Sequence, residues 1–307
     1  MKLVTFRTDI EAPARLGVID GGIVVDVAGF GEQVGLDLPS RMLDFIDLGP
    51  LAVRQLRDAV HSAGGDFGNA LALPIETVTL LAPIPRPRKN IFGIGLNYLD
   101  HVTESAKALD TDDALPKEPV VFSKPPTAVV GPDQPVRHDA NMTQQLDWEV
   151  ELAVIIGTTA TSVQREKALN HVFGYSVMID VSARDNRRAG QWIFSKGMDS
   201  YAPFGPCIVT ADEIPDPQTL DLWLKVNGEE KQNSNTAKML FKVDELIADL
   251  SKGITLEPGD IIATGTPEGV GAGRDPQEWL WPGDVMEAYV EGIGTIRHPI
   301  VNASEFK

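Results

Sequence analysis

Acidic and aliphatic residues crowd one short stretch of this chain, and few folds can satisfy both. Asp147, Glu149 and Glu151 lead directly into Leu152–Ala153–Val154–Ile155–Ile156, and a second apolar run, Val177–Met178–Ile179, ends on Asp180. A carboxylate taken into such a core is costly unless a positive group meets it. Successive strand side chains alternate between faces, so Glu149 and Glu151 project from one face, roughly 6–7 Å apart along the backbone. Asp180 at the end of the second run adds a third hard oxygen donor. No Cys or His adjoins any of these acids, so the set suits Mg²⁺, Mn²⁺ or Ca²⁺ better than Zn²⁺. The competing reading is an amphipathic strand that turns an acidic face to water, and spacing alone leaves both open.

Charge and composition narrow the classes of partner. The formal net charge is −17, which argues against nucleic acid and against an anionic membrane surface. The 43% hydrophobic content allows a substantial core in a chain of 307 residues. Cys207 is the sole cysteine, so no intrachain disulfide framework exists. Residues 1–7 lack the apolar core of a signal peptide, and no apolar run reaches transmembrane length. The expectation is a cytoplasmic protein acting on a small molecule.

Two units are expected. Residues 1–82 read as a small N-terminal α/β domain: strands at 3–6 and 15–19, a turn at Asp20–Gly21–Gly22 into Ile23–Asp26, and helical spacing over 41–62. The stiff segment Pro83–Ile84–Pro85–Arg86–Pro87–Arg88 marks the boundary. Residues 83–307 alternate short β-type runs with Gly/Pro turns, interrupted by helices near 98–109, 163–171 and 243–252. That pattern is α+β and predominantly β, not a doubly wound parallel sheet.

Other segments carry chemistry-bearing side chains. A helix capped by Asn97 puts His101 and Glu104 at i,i+3 on one face, where a carboxylate can fix the imidazole tautomer of a general base. A solvated His beside a solvated Glu has the same spacing. Lys196, in Ser195–Lys196–Gly197, is placed to meet developing negative charge or water. Arg184 and Gln191 are candidates to contact a substrate carboxylate, Arg184 as a two-pronged donor. The run Gly265–Thr266–Pro267–Glu268–Gly269–Val270–Gly271–Ala272–Gly273 lacks the GK[ST] ending of a nucleotide loop. It reads instead as a tight turn offering backbone N–H groups and the Thr266 hydroxyl to a ligand carboxylate. His61, His138, His171 and His298 show no partner pattern and read as structural or surface residues.

In register, these segments resemble the fumarylacetoacetate hydrolase family across roughly residues 80–300. The resemblance rests on Gly95–Leu96–Asn97–Tyr98 with His101 and Glu104, Phe122–Ser123–Lys124–Pro125, and Asp147–Trp148–Glu149–Val150–Glu151–Leu152. It continues through Gly174–Tyr175 with Asp180, Ser195–Lys196, Asn235–Thr236, Pro258–Gly259–Asp260 and Gly265–Gly271. It implies a mixed β-sandwich-roll catalytic domain, a homodimer, and Mg²⁺ or Mn²⁺ held by Glu149, Glu151 and Asp180, with Ca²⁺ as a substitute. It further implies a catalytic His101–Glu104 dyad with Lys196, and a substrate contact at Tyr98. One departure is Gly197, where many relatives carry Ser. The expected reaction is cleavage of a C–C bond in an acylpyruvate-type 1,3-diketo acid. Its alternatives are decarboxylation or enol–keto isomerisation of a 2-oxo diacid, or lyase or hydratase action on a 2-keto-3-deoxy sugar acid.

Overall fold

The computed structural model describes residues 1–68, 71–101, 104, 115–188 and 190–305. Among them, twelve strands join one large sheet, five a second, and two short strands a ribbon. The protein is α+β and predominantly β. The main path of the large sheet runs Ala72–Pro74, Ile23–Asp26, Arg15–Asp20, Lys2–Arg7, Ala202–Thr210, Val172–Ile179, Val150–Ile156, Ile261–Ala263, Ile91–Gly95, Val120–Lys124. The second sheet runs Glu229–Asn235, Asp221–Val226, Val285–Val290, Gly294–Asn302, Val136–His138. No described helix is long and apolar enough to cross a membrane.

Strand patterning explains the packing. Asp221–Val226 and Val285–Val290 bury alternate residues: Leu222, Leu224 and Val226 on one, Met286, Ala288 and Val290 on the other. These face Val150, Leu152, Val154 and Ile156 of the large sheet. The opposite side of the same central strand presents Ala153 and Ile155 to a second core, closed by Phe30, Phe45 and Leu56 from three helices, Val27–Val34, Met42–Asp47 and Pro50–Ala63. Val150–Ile156 is therefore buried on both faces, which is why residues 152–156 read as a continuous apolar run. Each such side chain contributes about 1.5–3 kcal/mol on burial, and that surplus anchors the charges beside it.

The N-terminal hairpin follows its sequence: Gly21 and Gly22 take φ of 54° and 93° between Arg15–Asp20 and Ile23–Asp26, the left-handed pair a tight hairpin needs. The spacing over 41–62 resolves into two helices broken at Gly49. Val27–Val34 had no sequence expectation; Asp26 caps it by accepting from the Gly29 N–H at 2.9 Å. Lys2–Arg7 pairs with Arg15–Asp20 and also with Ala202–Thr210, so the N-terminal strands continue the large sheet. Of the helix expected over 98–109, residues 99–101 and 104 are helical, while 102, 103 and 105–109 lie outside the described residues. Asn97 directs its side chain elsewhere: Nδ2 donates to the carbonyls of Phe241 and Thr264, and Oδ1 accepts from the Phe241 N–H.

Candidate functional site

Strand register brings the acids together. Val150 lies opposite Ile179 and Glu151 opposite Met178, so Glu149 and Asp180 face each other at the open end of this antiparallel pair. The Asp180 N–H donates to the Glu149 carbonyl at 2.8 Å and extends the ladder by one rung. Glu151, two residues beyond Glu149, joins them from the same face. One carboxylate oxygen from each of the three lies within 4.8 Å of the others, and all three residues are buried.

Cations meet this cluster unevenly. Lys196 Nζ donates to Glu149 Oε2 at 2.8 Å and to Asp180 Oδ2 at 2.7 Å. Lys124 Nζ is 2.6 Å from Asp180 Oδ1 and is itself fully buried. It also donates to the carbonyls of Lys196, Tyr201 and Val181. Arg184 bridges Asp147 Oδ2 at 2.8 Å and Glu149 Oε1 at 2.6 Å. Among the described residues Glu151 receives only the Gly265 N–H, at 3.0 Å on Oε2, and its buried Oε1 has no hydrogen-bond partner. Burial raises the Glu149 carboxyl, but Lys196, Arg184 and His101 outweigh it and hold the group below the usual carboxylate range. Burial, followed by the Asp180 and Glu149 charges, pushes Glu151 well above that range. A buried, hard, oxygen-only donor set with one unpartnered oxygen fits a divalent metal ion.

The dyad stands beside the triad. His101 Nδ1 is 3.2 Å from Glu104 Oε2, and His101 is near enough to Glu149 for a proton taken up on its ring to act on that carboxyl. Glu104 is held from behind by the Gly269 N–H, 3.0 Å from Oε1 and 3.2 Å from Oε2. Two glycines make this approach possible. At Gly269, with φ of 100°, a Cβ would overlap the Lys231 carbonyl; at Gly273 it would overlap the Glu104 side chain. The loop does present its N–H groups to carboxylates, as its sequence suggests, but these are the protein's own. Gly265 serves Glu151, Gly269 serves Glu104, and Gly271 and Ala272 serve Asp147 at 2.7 and 3.0 Å.

The four residues expected at a substrate differ in their surroundings. Tyr98 is fully buried with no partner for its hydroxyl among the described residues, and burial and then Glu151 and Glu268 raise its pKa. The Thr266 hydroxyl accepts from Gln232 Nε2 at 2.8 Å. Arg184 is engaged by Asp147 and Glu149, as above. Gln191 is exposed and lines a groove of about 520 Å³ with Val121, Phe122, Trp192 and Ile193, a lining that includes no member of the triad. At Gly197 a Cβ would stand 2.6 Å from Pro125 Cδ and 2.7 Å from the Ile193 carbonyl, so the local packing, not only the chemistry, favours glycine. Lys124 and Asp147 had no assigned role in the sequence reading. The available signal was a lysine following the apolar run Val120–Val121–Phe122, the basic counterpart of acids set in an apolar stretch.

The family profile for the fumarylacetoacetate (FAA) hydrolase C-terminal region matches residues 90–301. The chain belongs to this family of enzymes. It is 40% identical over 306 residues to oxaloacetate tautomerase fahd2, mitochondrial, of Xenopus laevis, covering 98% of this chain and 90% of that protein. It is 40% identical over 267 residues to oxaloacetate tautomerase YisK of Bacillus subtilis, covering 86% and 87%. Among solved structures it is similar to maleylpyruvate hydrolase from Sphingobium sp. SYK-6 in complex with manganese(II) ion and pyruvate. That match has 32% identity and a TM-score of 0.76, covering 98% of this chain and 99% of that one.

Proposed function

We propose that this protein is a divalent-metal-dependent keto–enol tautomerase of a 2-oxo diacid of the oxaloacetate type. The observation that carries the reading is the convergence of Glu149, Glu151 and Asp180 with the Lys196 ammonium in one buried cluster beside His101–Glu104. Likeness to oxaloacetate tautomerases over 98% and 86% of this chain supports this reaction among those the site allows.

Glu149, Glu151 and Asp180 would hold Mg²⁺ or Mn²⁺. When bound, the cation supplies Lewis-acid stabilisation of negative charge on the substrate. The chain's own residues carry the proton. Glu104 accepts from His101 Nδ1–H and fixes the tautomer that is basic at Nε2, which would carry a proton between the enol hydroxyl on C2 and carbon C3, taking it from one and delivering it to the other. The Gly269 N–H holds Glu104 in that orientation. Lys196 brings positive charge to the acid cluster and limits repulsion between the cluster and an anionic substrate. Asp147 and Glu149 hold Arg184 too firmly for substrate recognition to be its main work.

A second reading, hydrolysis of an acylpyruvate, is favoured by the likeness to the maleylpyruvate hydrolase structure that contains pyruvate. There His101 would take its proton from water, and the bond between the distal carbonyl carbon and C3 would break. Decarboxylation of the same diacid uses the same enolate. Near-ultraviolet absorbance of enol-oxaloacetate, with and without EDTA, separates the three when products are analysed. Metal-dependent decay that leaves oxaloacetate intact supports tautomerisation, release of CO₂ indicates decarboxylation, and pyruvate from an acylpyruvate indicates hydrolysis. Enol decay that is indifferent to EDTA and to His101→Ala would sink the proposal. The homodimer that the family resemblance implies is an expectation to be checked separately by light scattering.

A further inference from the structure

Asp147 belongs to neither the triad nor the dyad, yet it touches the supports of both. Its side chain is fully buried and accepts four N–H donors: Trp148 at 2.8 Å and Gly271 at 2.7 Å on Oδ1, Ala272 at 3.0 Å and Arg184 Nε at 2.8 Å on Oδ2. Through Arg184 it steers Glu149, whose Oε1 takes the other prong of the guanidinium. Through Gly271 and Ala272 it fixes the loop whose Gly269 N–H grips Glu104. The Trp148 indole adds a parallel tie, donating to the Gly269 carbonyl at 3.1 Å.

We propose that Asp147 is a positioning residue that couples the cation site to the proton-transferring dyad through the loop 265–273. It sets the orientation of Glu149 on one side and the seat of Glu104 on the other. This rests on the functional reading above. The chemistry demands a carboxylate at this position. Four donors converge on two oxygens, and an asparagine has only one acceptor atom, so two N–H groups must face its NH₂ whichever way it turns. A backbone contact or a lone salt bridge would carry no such requirement.

The test is Asp147→Asn with Mn²⁺ as the probe, read by calorimetry and by steady-state kinetics at saturating Mn²⁺. Losing a partner that orients a ligand costs about 10-fold to 100-fold in metal affinity or activity. Asp147→Asn should weaken Mn²⁺ binding by that factor and, with Mn²⁺ saturating, still lower kcat about 10-fold with KM little changed. Combined with Glu104→Gln it should lower kcat no further than Glu104→Gln alone. Wild-type Mn²⁺ affinity, wild-type kcat at saturation, or losses that multiply in the double variant would each overturn the coupling. Should Asp147→Asn fold poorly, Gly273→Ala tests the same link from the loop, because its Cβ intrudes on Glu104 and leaves Asp147 alone. It should lower kcat and leave Mn²⁺ affinity unchanged; an unchanged kcat overturns the proposal. Full turnover by both His101→Ala and Glu104→Gln would instead refute the functional reading, and Mn²⁺ affinity of Asp147→Asn then decides the Arg184 limb by itself.

Discussion

Replacing Lys124 by Met should be among the most damaging single changes to stability in this chain. The Lys124 ammonium lies 2.6 Å from Asp180 Oδ1, and both side chains are fully buried. At that distance two unit charges attract by about 6 kcal/mol in an effective dielectric of about 20. Not having to desolvate the ammonium returns several kcal/mol, and the net cost of breaking a buried pair from one side is about 3–5 kcal/mol. Three carbonyls, of Val181, Lys196 and Tyr201, also lose their donor. In chains of 150–250 residues each kcal/mol moves Tm by about 2–4 °C. A fall of roughly 6–20 °C is therefore expected, toward the lower end for a chain of this size, measured by circular dichroism in EDTA. Adding Asp180→Asn removes a carboxylate that Lys196 would otherwise neutralise without Lys124, and should recover part of the loss. A Tm within about 2 °C of wild type, or a double variant less stable than Lys124→Met, would refute the reasoning.

Acid should expose a second buried group. His298 is fully buried, its Nδ1 lies 2.8 Å from the Gln134 carbonyl, and burial lowers its pKa to about 4. The unfolded chain takes up a proton near pH 6.5 and the folded one does not, so this stability is present above pH 6.5 and lost as pH falls toward 4. About 3 kcal/mol is at stake. Urea unfolding at pH 7, 5 and 4 should show that slope in the wild type and a shallower one in His298→Gln; parallel curves would contradict it. Glu151→Gln should weaken Mn²⁺ binding more than about 100-fold, beyond the loss of an outer partner, as read by calorimetry. Gly269→Ala forces a Cβ against the Lys231 carbonyl at φ of 100°, and should cost about 1–3 kcal/mol in denaturant unfolding, where an unchanged midpoint would count against it.

What could be read from the sequence was local. Glu149, Glu151 and Asp180 announce themselves because each sits in or at the end of an apolar run, and the i,i+2 spacing alone fixes the shared face of the first two. Their neutralisation leaves no such trace. Lys124, Arg184 and Lys196 approach the same acids from separate elements, and the register that unites them, Val150 opposite Ile179, depends on turns and sheet order. The loop 265–273 shows both halves of this. Its composition declared a surface of N–H donors, but not that Glu151, Glu104 and Asp147 would take them. Likewise the hairpin at Gly21–Gly22 is written in two residues, whereas the pairing of Leu3 with Ile208 has no local signature.

That last pairing has a consequence for synthesis. Lys2–Arg7 hydrogen-bonds to a strand about 200 residues further along the chain. At about 5–20 residues per second, the ribosome delivers that partner roughly 10–40 s after the N-terminal hairpin emerges. Thr79–Leu81 covers Thr5–Arg7 much earlier, so through that interval it is the Lys2–Leu3 end of the edge that offers its N–H and C=O groups to any extended segment nearby, including the same segment of a neighbouring nascent chain. The Glu149–Asp180 rung emerges only shortly before Ala202–Thr210, so acid cluster and sheet close late and nearly together. Folding during translation thus has a long wait and then a short, crowded finish.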